Sequence, residues 1–493
     1  MRDAESKVQR GFFWLGASGG ALRLIDLASS IVILWRLSAE QMGLASLAWT
    51  VAVIIESFNG LGIGVAMVQA EQLEEDELDS LFWFSVAVGV GLSFAIALAS
   101  PSIASAFGRG AYWPMLAVAS TRLAFMAVAL VPMQLLQRRL EFKALAVVQT
   151  LAAALAGITK VALLLAGSGA WALVLSHAAE GLFTLGVVYL LAPFWPKARF
   201  SLQKTLRFVR FGAKAAASTV LYQSYRNLDF VIVGRAFGVA TLGAYRIAFD
   251  VAMVPAMAIL DVVNRTAFPI YSRIGTSHLD SLKRMFLSMT KRLALVTGPL
   301  ALLSALFAPD ILALVSGARW SEAGPMIQVL CWAAFLRTLT QSIPQLFHAA
   351  GRPELAAYDS LITLPCFFAC GWGLVRLFGA SLGANAVSFA WIATYSLTLV
   401  VLFFMARSIF PLRGREFAKS LLPAFALMAL LALVLVPLAP VAKRFLPAPV
   451  ATLAGVALGL CLAFGYARYV LKIRLAPKAV STRSEIKIDA GGE

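Results

Sequence analysis

Residues Arg226–Phe249 read RNLDFVIVGRAFGVATLGAYRIAF. Arg226, Asn227 and Asp229 stand at the mouth of an apolar run, with Arg235, Arg246 and Asp250 following. A soluble domain could bury one such run in a large core. Apolar stretches near 20 residues recur along the whole chain, however, and that is the length a helix needs to cross ~30 Å of hydrocarbon. Composition agrees. Of 493 residues 60% are hydrophobic and only 14% charged, against about 25% charged in an ordinary soluble protein, and the mean hydropathy is +0.82. The chain reads as an all-α integral membrane protein. No small-residue cleavage site follows the first apolar stretch, which therefore reads as a span and not a cleaved signal.

Fourteen spans are expected, near 12–34, 43–63, 81–105, 112–135, 145–165, 170–192, 212–233, 241–262, 290–311, 323–346, 355–377, 383–405, 418–438 and 448–470. The first and seventh are the least apolar. With the N-terminus placed in the cytoplasm, the inner segments hold 29 Lys and Arg. The outer segments hold seven: Arg36, Arg109, Arg235, Arg319, Arg376, Lys443 and Arg444. That asymmetry satisfies the positive-inside rule with both termini cytoplasmic. It also accounts for the net charge of +17 without nucleic acid. One inner segment, QAEQLEEDELDS (69–80), carries six acids and no base, and reads as a solvated face and helix start. It lacks the Asp and Gly spacing of a calcium loop. Cys331, Cys366, Cys370 and Cys461 all sit in apolar segments and read as packing residues. No metal site or cofactor is expected.

The chain also resembles itself at an offset of roughly 200 residues. WRLSAEQMGLASLAW (Trp35–Trp49) aligns with GRAFGVATLGAYRIAF (Gly234–Phe249), Gly43 opposite Gly243. PMQLLQRRLEFKALA (Pro132–Ala146) echoes PQLFHAAGRPELAAY (Pro344–Tyr358), and SGAWALVLS (Ser168–Ser176) echoes LGANAVSFA (Leu382–Ala390). Six spans separate equivalent helices, so both copies enter the membrane in the same sense. This is a parallel repeat about an axis along the membrane normal, with a cavity between two six-helix lobes. The expected units are an N-lobe (12–192), a basic cytoplasmic linker (193–211), a C-lobe (212–405), two additional helices (418–470) and a cytoplasmic tail (471–493).

Charges inside spans are costly on a lipid-facing surface and tend to face protein or water. Arg23 and Asp26, Arg226 and Asp229, and Arg246 and Asp250 are three or four residues apart, able to share a helix face and neutralise one another. Arg23, Lys160, Arg226, Arg246 and Arg337 form either a cationic interior for an anionic substrate or a set of structural salt bridges. Arginine's planar fork suits phosphate oxygens. Tyr222, Tyr225 and Asn227, with Arg226, read as a wet face able to hydrogen-bond and stack against sugars. Asp26, Glu56, Glu180, Asp229 and Asp250 are possible coupling carboxylates. No nucleophile–base set, HExxH or GxxxxGK[ST] occurs, so an enzyme is not expected. GLGIG (60–64) lacks a strand–turn–helix context and suits close helix packing or a helix end.

Four stretches carry a family resemblance: FNGLGIGVAMVQAEQLEEDELDSLFW (Phe58–Trp83), PMQLLQRRLEFKALA, LRFVRFGAKAAASTVLYQSYRNLDFVIVGRAFGVATLGAYRIAF and FPIYSRI (Phe268–Ile274). The chain resembles the polysaccharide-exporter branch, the O-antigen and exopolysaccharide flippases, of the multidrug/oligosaccharidyl-lipid/polysaccharide transporter superfamily. The resemblance covers about Phe12 to Arg407. It implies carriage of undecaprenyl-pyrophosphate-linked oligosaccharide across a bacterial inner membrane by alternating access. A polysaccharide polymerase and export machinery are implied partners beside membrane lipids. The alternatives are a drug or metabolite exporter of the same architecture, a peptidoglycan-precursor flippase, and a non-transporting membrane partner of a polysaccharide synthase.

Overall fold

A computed structural model describes residues 2–108, 112–274 and 278–470; the side chains of 2–17, of Arg23 and of a few other positions lie outside that description. The expected cytoplasmic tail (471–493) lies outside the described residues. The described chain is almost wholly helical. The helices are α1 (Arg2–Arg36), α2 (Ala39–Glu56), α3 (Ile63–Gln69), α4 (Glu75–Ala106), α5 (Trp113–Arg138), α6 (Phe142–Leu165), α7 (Ala170–Leu191) and α8 (Leu202–Phe237). They continue with α9 (Val239–Ile274), α10 (Leu279–Ser316), α11 (Ala323–Ser342), α12 (Pro344–Ala349), α13 (Pro353–Leu382), α14 (Asn385–Ala406), α15 (Gly414–Phe445) and α16 (Ala448–Gly465).

Eleven helices among the described residues are long and apolar enough to cross a membrane. The three expected spans missing from that set correspond to α2, α8 and α11. All three are helical, and all pack against other helices on several sides. A helix that faces protein or a cavity has less need of apolar residues than one facing lipid. The opening stretch is a helical hairpin, with Gly238 at φ +86° as the single residue between α8 and α9. The expected linker 193–211 is itself mostly helix, because α8 starts at Leu202, where Ser201 caps it by accepting from the Lys204 amide.

Helix ends express the repeat. After α5, Leu140 is left-handed (φ 58°) and the Glu141 amide donates to the Leu136 carbonyl; after α12, Gly351 is left-handed (φ 70°) and the Arg352 amide donates to Phe347. This is the same six-to-one closure of a helix C-terminus. Gly169 before α7 and Gly383 before α14 share φ 56°. α1 and α4–α7 pack into one bundle and α9–α11, α13 and α14 into another, α2 and α8 contact helices of both, and α15 and α16 lie against α10.

The bundles meet where α2 crosses α9. A Cβ on Gly43 would lie 1.8 Å from the Val239 carbonyl oxygen, and one on Gly243 would lie 1.8 Å from that of Ala39. At the other end of the seam, a Cβ on Gly62 would fall 2.1 Å from the Gly212 carbonyl oxygen. Gly60 and Gly62 are both left-handed, at φ 74° and 79°, so GLGIG serves as both a helix end and a close approach.

The acidic segment is solvated as expected at Glu71, Glu74 and Glu75, whereas Glu77 and Asp79 are buried. It does start α4, where Glu74 and Glu77 form a capping box and three acids occupy the first turn, favourable to the helix dipole. Its side chains, however, hold the linker. Lys197 Nζ donates to Glu75 at 3.0 Å and Arg207 to Glu77 at 2.6 Å, while Asp79 accepts from the Lys197 amide at 3.0 Å. Lys204 bonds both Asp76 and Glu74, and those bonds hold its ammonium above the ordinary lysine pKa.

Gly43→Ala is expected to destabilise the protein by about 1–3 kcal/mol through overpacking, read as a lower melting temperature in detergent. Gly91→Ala, where a Cβ meets nothing within 4 Å, should leave it unchanged.

Candidate functional site

The α2–α9 crossing positions two side chains at the seam. Trp49 lies on α2 beyond Gly43, and Arg246 lies on α9 one turn beyond Gly243. The Arg246 guanidinium sits 4.1 Å from the Trp49 ring and 4.8 Å from that of Phe230. Its Nε donates to Asp250 at 3.0 Å, so the expected Arg246–Asp250 pair forms. Its two terminal nitrogens bond no protein group among the described residues.

Trp49 also reaches into the first bundle, its ring 6.1 Å from that of His177. There Arg122 Nη1 donates to Glu180 at 3.1 Å and approaches His177 Nδ1 at 3.2 Å, and Nε lies 3.4 Å from Glu56. Arginine has no acceptor, so Nδ1 of His177 must accept and its proton sits on Nε2. Gly181 makes room: a Cβ there would come 2.9 Å from the Arg122 Cγ. Arg122, His177 and Trp49 are thus part of the site although sequence spacing did not select them. Their partners lie 55 or more residues away, beyond any local pattern.

A second polar centre fills the other bundle. Asp229 is fully buried and accepts from the Phe230 amide (2.9 Å), Tyr245 (3.0 Å) and Trp391 (3.1 Å). Trp391 stacks on Phe367 at 3.8 Å and on Tyr395 at 5.0 Å. Arg337 is buried beside Tyr395, with its Nε unbonded among the described residues.

Several expectations need correcting. Arg226 and Asp229 do not pair: Asp229 turns into its bundle, while Arg226 is exposed, 5.3 Å over the Tyr222 ring. Three buried donors hold the carboxylate better than one exposed cation would. Nor is Tyr225 on a wet face, since it is fully buried and accepts from Gln341 at 2.7 Å. Asn227 donates to the Gln223 carbonyl of its own helix. The interior is not simply cationic either, because Glu56, Glu180 and Asp250 answer Arg122 and Arg246. Lys160, half-buried on α6, and Arg226 form no ion pair among the described residues. Asp26 is exposed on α1, and the side chain of Arg23 lies outside the described residues.

Residues 33–325 match the family model described as "Polysaccharide biosynthesis protein". The chain belongs to that family. It is 25% identical to the teichuronic acid biosynthesis protein TuaB of Bacillus subtilis (strain 168), over 83% of each chain. It is 23% identical to the lipopolysaccharide biosynthesis protein WzxC of Escherichia coli (strain K12), over 73% of this chain and 74% of the relative. With the succinoglycan biosynthesis transport protein ExoT of Rhizobium meliloti (strain 1021) identity is 24% over 66% of each. In fold it superposes on the lipid II flippase MurJ, inward closed conformation, with a TM-score of 0.76 at 12% identity, covering 93% of this chain and 98% of that one. An inward-facing multidrug resistance MATE transporter gives 0.59 at 18%, covering 78% and 94%. This family member is therefore a multi-pass membrane protein with the fold of those transporters.

Asp229→Ala is expected to cost about 3 kcal/mol or more, since three buried donors lose their acceptor. Asp250→Ala, at a half-exposed pair, should cost less. Thermal unfolding of the purified protein in detergent measures both.

Proposed function

We propose that this protein is a flippase that moves an undecaprenyl-pyrophosphate-linked oligosaccharide from the inner to the outer leaflet of a bacterial cytoplasmic membrane. The observation that carries the reading is Arg246 at the seam between the bundles. Its Nε is held by Asp250 and its face by Trp49, which leaves the terminal nitrogens to meet an anion. A buried guanidinium whose Nε is taken and whose terminal nitrogens bond no protein group among the described residues suits pyrophosphate oxygens. The relatives named for teichuronic acid, lipopolysaccharide and succinoglycan biosynthesis support a glycan as the cargo.

In this reading the units 12–192 and 212–405 rock against one another. One glycine crossing, Gly43 with Gly243 or Gly62 with Gly212, opens while the other stays closed. Sugars and phosphates occupy the seam while the prenyl tail remains in lipid. Arg226 and Lys160 supply further cations, and Arg23 belongs to the same proposal. Asp26, Glu56, Glu180, Asp229 and Asp250 are the carboxylates through which an ion gradient would act. Both termini are assigned to the cytoplasm on the distribution of Lys and Arg, and a polysaccharide polymerase and export machinery would take the product.

Deletion of the gene is expected to accumulate a complete lipid-linked repeat unit, quantified by mass spectrometry of extracted membrane lipid. Wild type should clear it, Arg246→Ala should retain about a tenth of that clearance or less, and Arg226→Ala should fall between. An unchanged lipid-linked pool, with polymer still exported, would sink the reading. A phosphatase reporter fused after Lys443 should be active, and one fused after Glu493 inactive.

A further inference from the structure

Between the bundles, at the end that carries the acidic segment and the linker, lies a pocket of about 440 Å³. Its polar lining comes from Ser57 and Asn59 between α2 and α3, Gln69 at the end of α3, Gln134 and Gln137 on the last turns of α5, and Thr219 on α8. No lining side chain is charged. The Gln69, Gln134 and Gln137 amides bond no protein group among the described residues. The volume falls within the range of small-molecule sites, about 300–1,000 Å³.

The chemistry of this lining differs from that of the arginine network. Each carboxamide offers two donors and an acceptor, the complement of a sugar hydroxyl, which both donates and accepts. It offers nothing special to a phosphate, which prefers a cation. Leu130 and Gln137, which bound the α5 part of the pocket, are eight and fifteen residues from Arg122 on the same helix. At 1.5 Å per residue, the pocket begins about 12 Å and ends about 22 Å from the arginine. A pyrophosphate held near Arg246 and Arg122 would thus extend an oligosaccharide toward these amides. On the adjoining face of α8, an apolar groove lined by Phe58, Val209, Ala213 and Val220 shares Ala216 with the pocket. The groove is apolar, so the hydroxyl-matching chemistry is confined to the pocket.

We infer that the Gln69–Gln134–Gln137 pocket is the subsite for the saccharide portion of the cargo, separate from the arginines that take the pyrophosphate. This rests on the transport reading. Gln134 is the central contact, since it also touches Gly64, where a Cβ would come 3.0 Å from its amide.

The test uses purified full-length protein and two probes: the lipid-linked saccharide pool extracted from the deletion strain, and undecaprenyl pyrophosphate bearing no sugar. The variants are the double Gln134→Met/Gln137→Met, and independently Gly64→Ala, whose methyl displaces the Gln134 amide. Membrane abundance and melting temperature establish that each variant folds. The expected result is about a tenfold loss of affinity for the saccharide-bearing probe, with binding of the bare carrier kept within about twofold. Undiminished binding of the saccharide-bearing probe, or parallel loss of both probes, overturns the subsite while leaving transport intact. A deletion strain with no accumulated pool, and a wild-type protein that binds neither probe, overturns the transport reading and the subsite with it.

Discussion

The structure depends on two backbones approaching with nothing between them. Where α2 crosses α9, Gly43 faces Val239 and Gly243 faces Ala39, and a single methyl on either glycine would overlap a carbonyl oxygen. In a bilayer little hydrophobic force drives one helix onto another, so contact of this kind must come from shape. The crossing in turn sets how far apart Trp49 and Arg246 stand. A looser crossing would move the ring off the guanidinium and leave Arg122 and Arg246 as unrelated charges in separate bundles. The two glycines are also equivalent in the internal repeat, so the element that makes the halves alike is the one that holds them together.

Around that crossing, polar groups differ in how much of their bonding capacity is met. Asp229 is fully buried, and three donors surround it. Arg122 shares two carboxylates and a histidine. Arg246 shares one carboxylate and two aromatic faces. Among the described residues Arg226 has only the Tyr222 ring. The series runs from complete satisfaction inside one bundle to a nearly unbound cation at its surface. Groups at the first end fix structure, because removing a partner strands a buried charge. Groups at the second end have bonding capacity left for something that comes and goes.

Much of this was legible in the sequence, in proportion to how local each feature is. The membrane class follows from apolar length alone, and the Arg246–Asp250 pair from four-residue spacing. The echo at Pro132–Ala146 and Pro344–Tyr358 marks two corners that close with the same hydrogen bond, although one uses Leu140 and the other Gly351. Spacing failed where rotation of a helix decides the outcome: Arg226 and Asp229 satisfy the rule for a pair yet point to different surroundings. It also failed where partners come from distant helices, as with Arg122, Glu56 and His177. Hydropathy was weakest for α2, α8 and α11, each of which packs against several other helices.

The attachment of the linker to the acidic segment has a mechanical consequence. Lys197, Lys204 and Arg207 fasten the beginning of α8 to the first bundle, while Tyr225 and Asp229 anchor its later turns inside the second. One continuous rod of 36 residues therefore belongs to both bodies. Any rotation of one against the other must be absorbed as flexure within that rod, between the two anchorages. The residues there include Gly212, Ala213, Ala216 and Ala217, whose small side chains leave a helix the most room to bend.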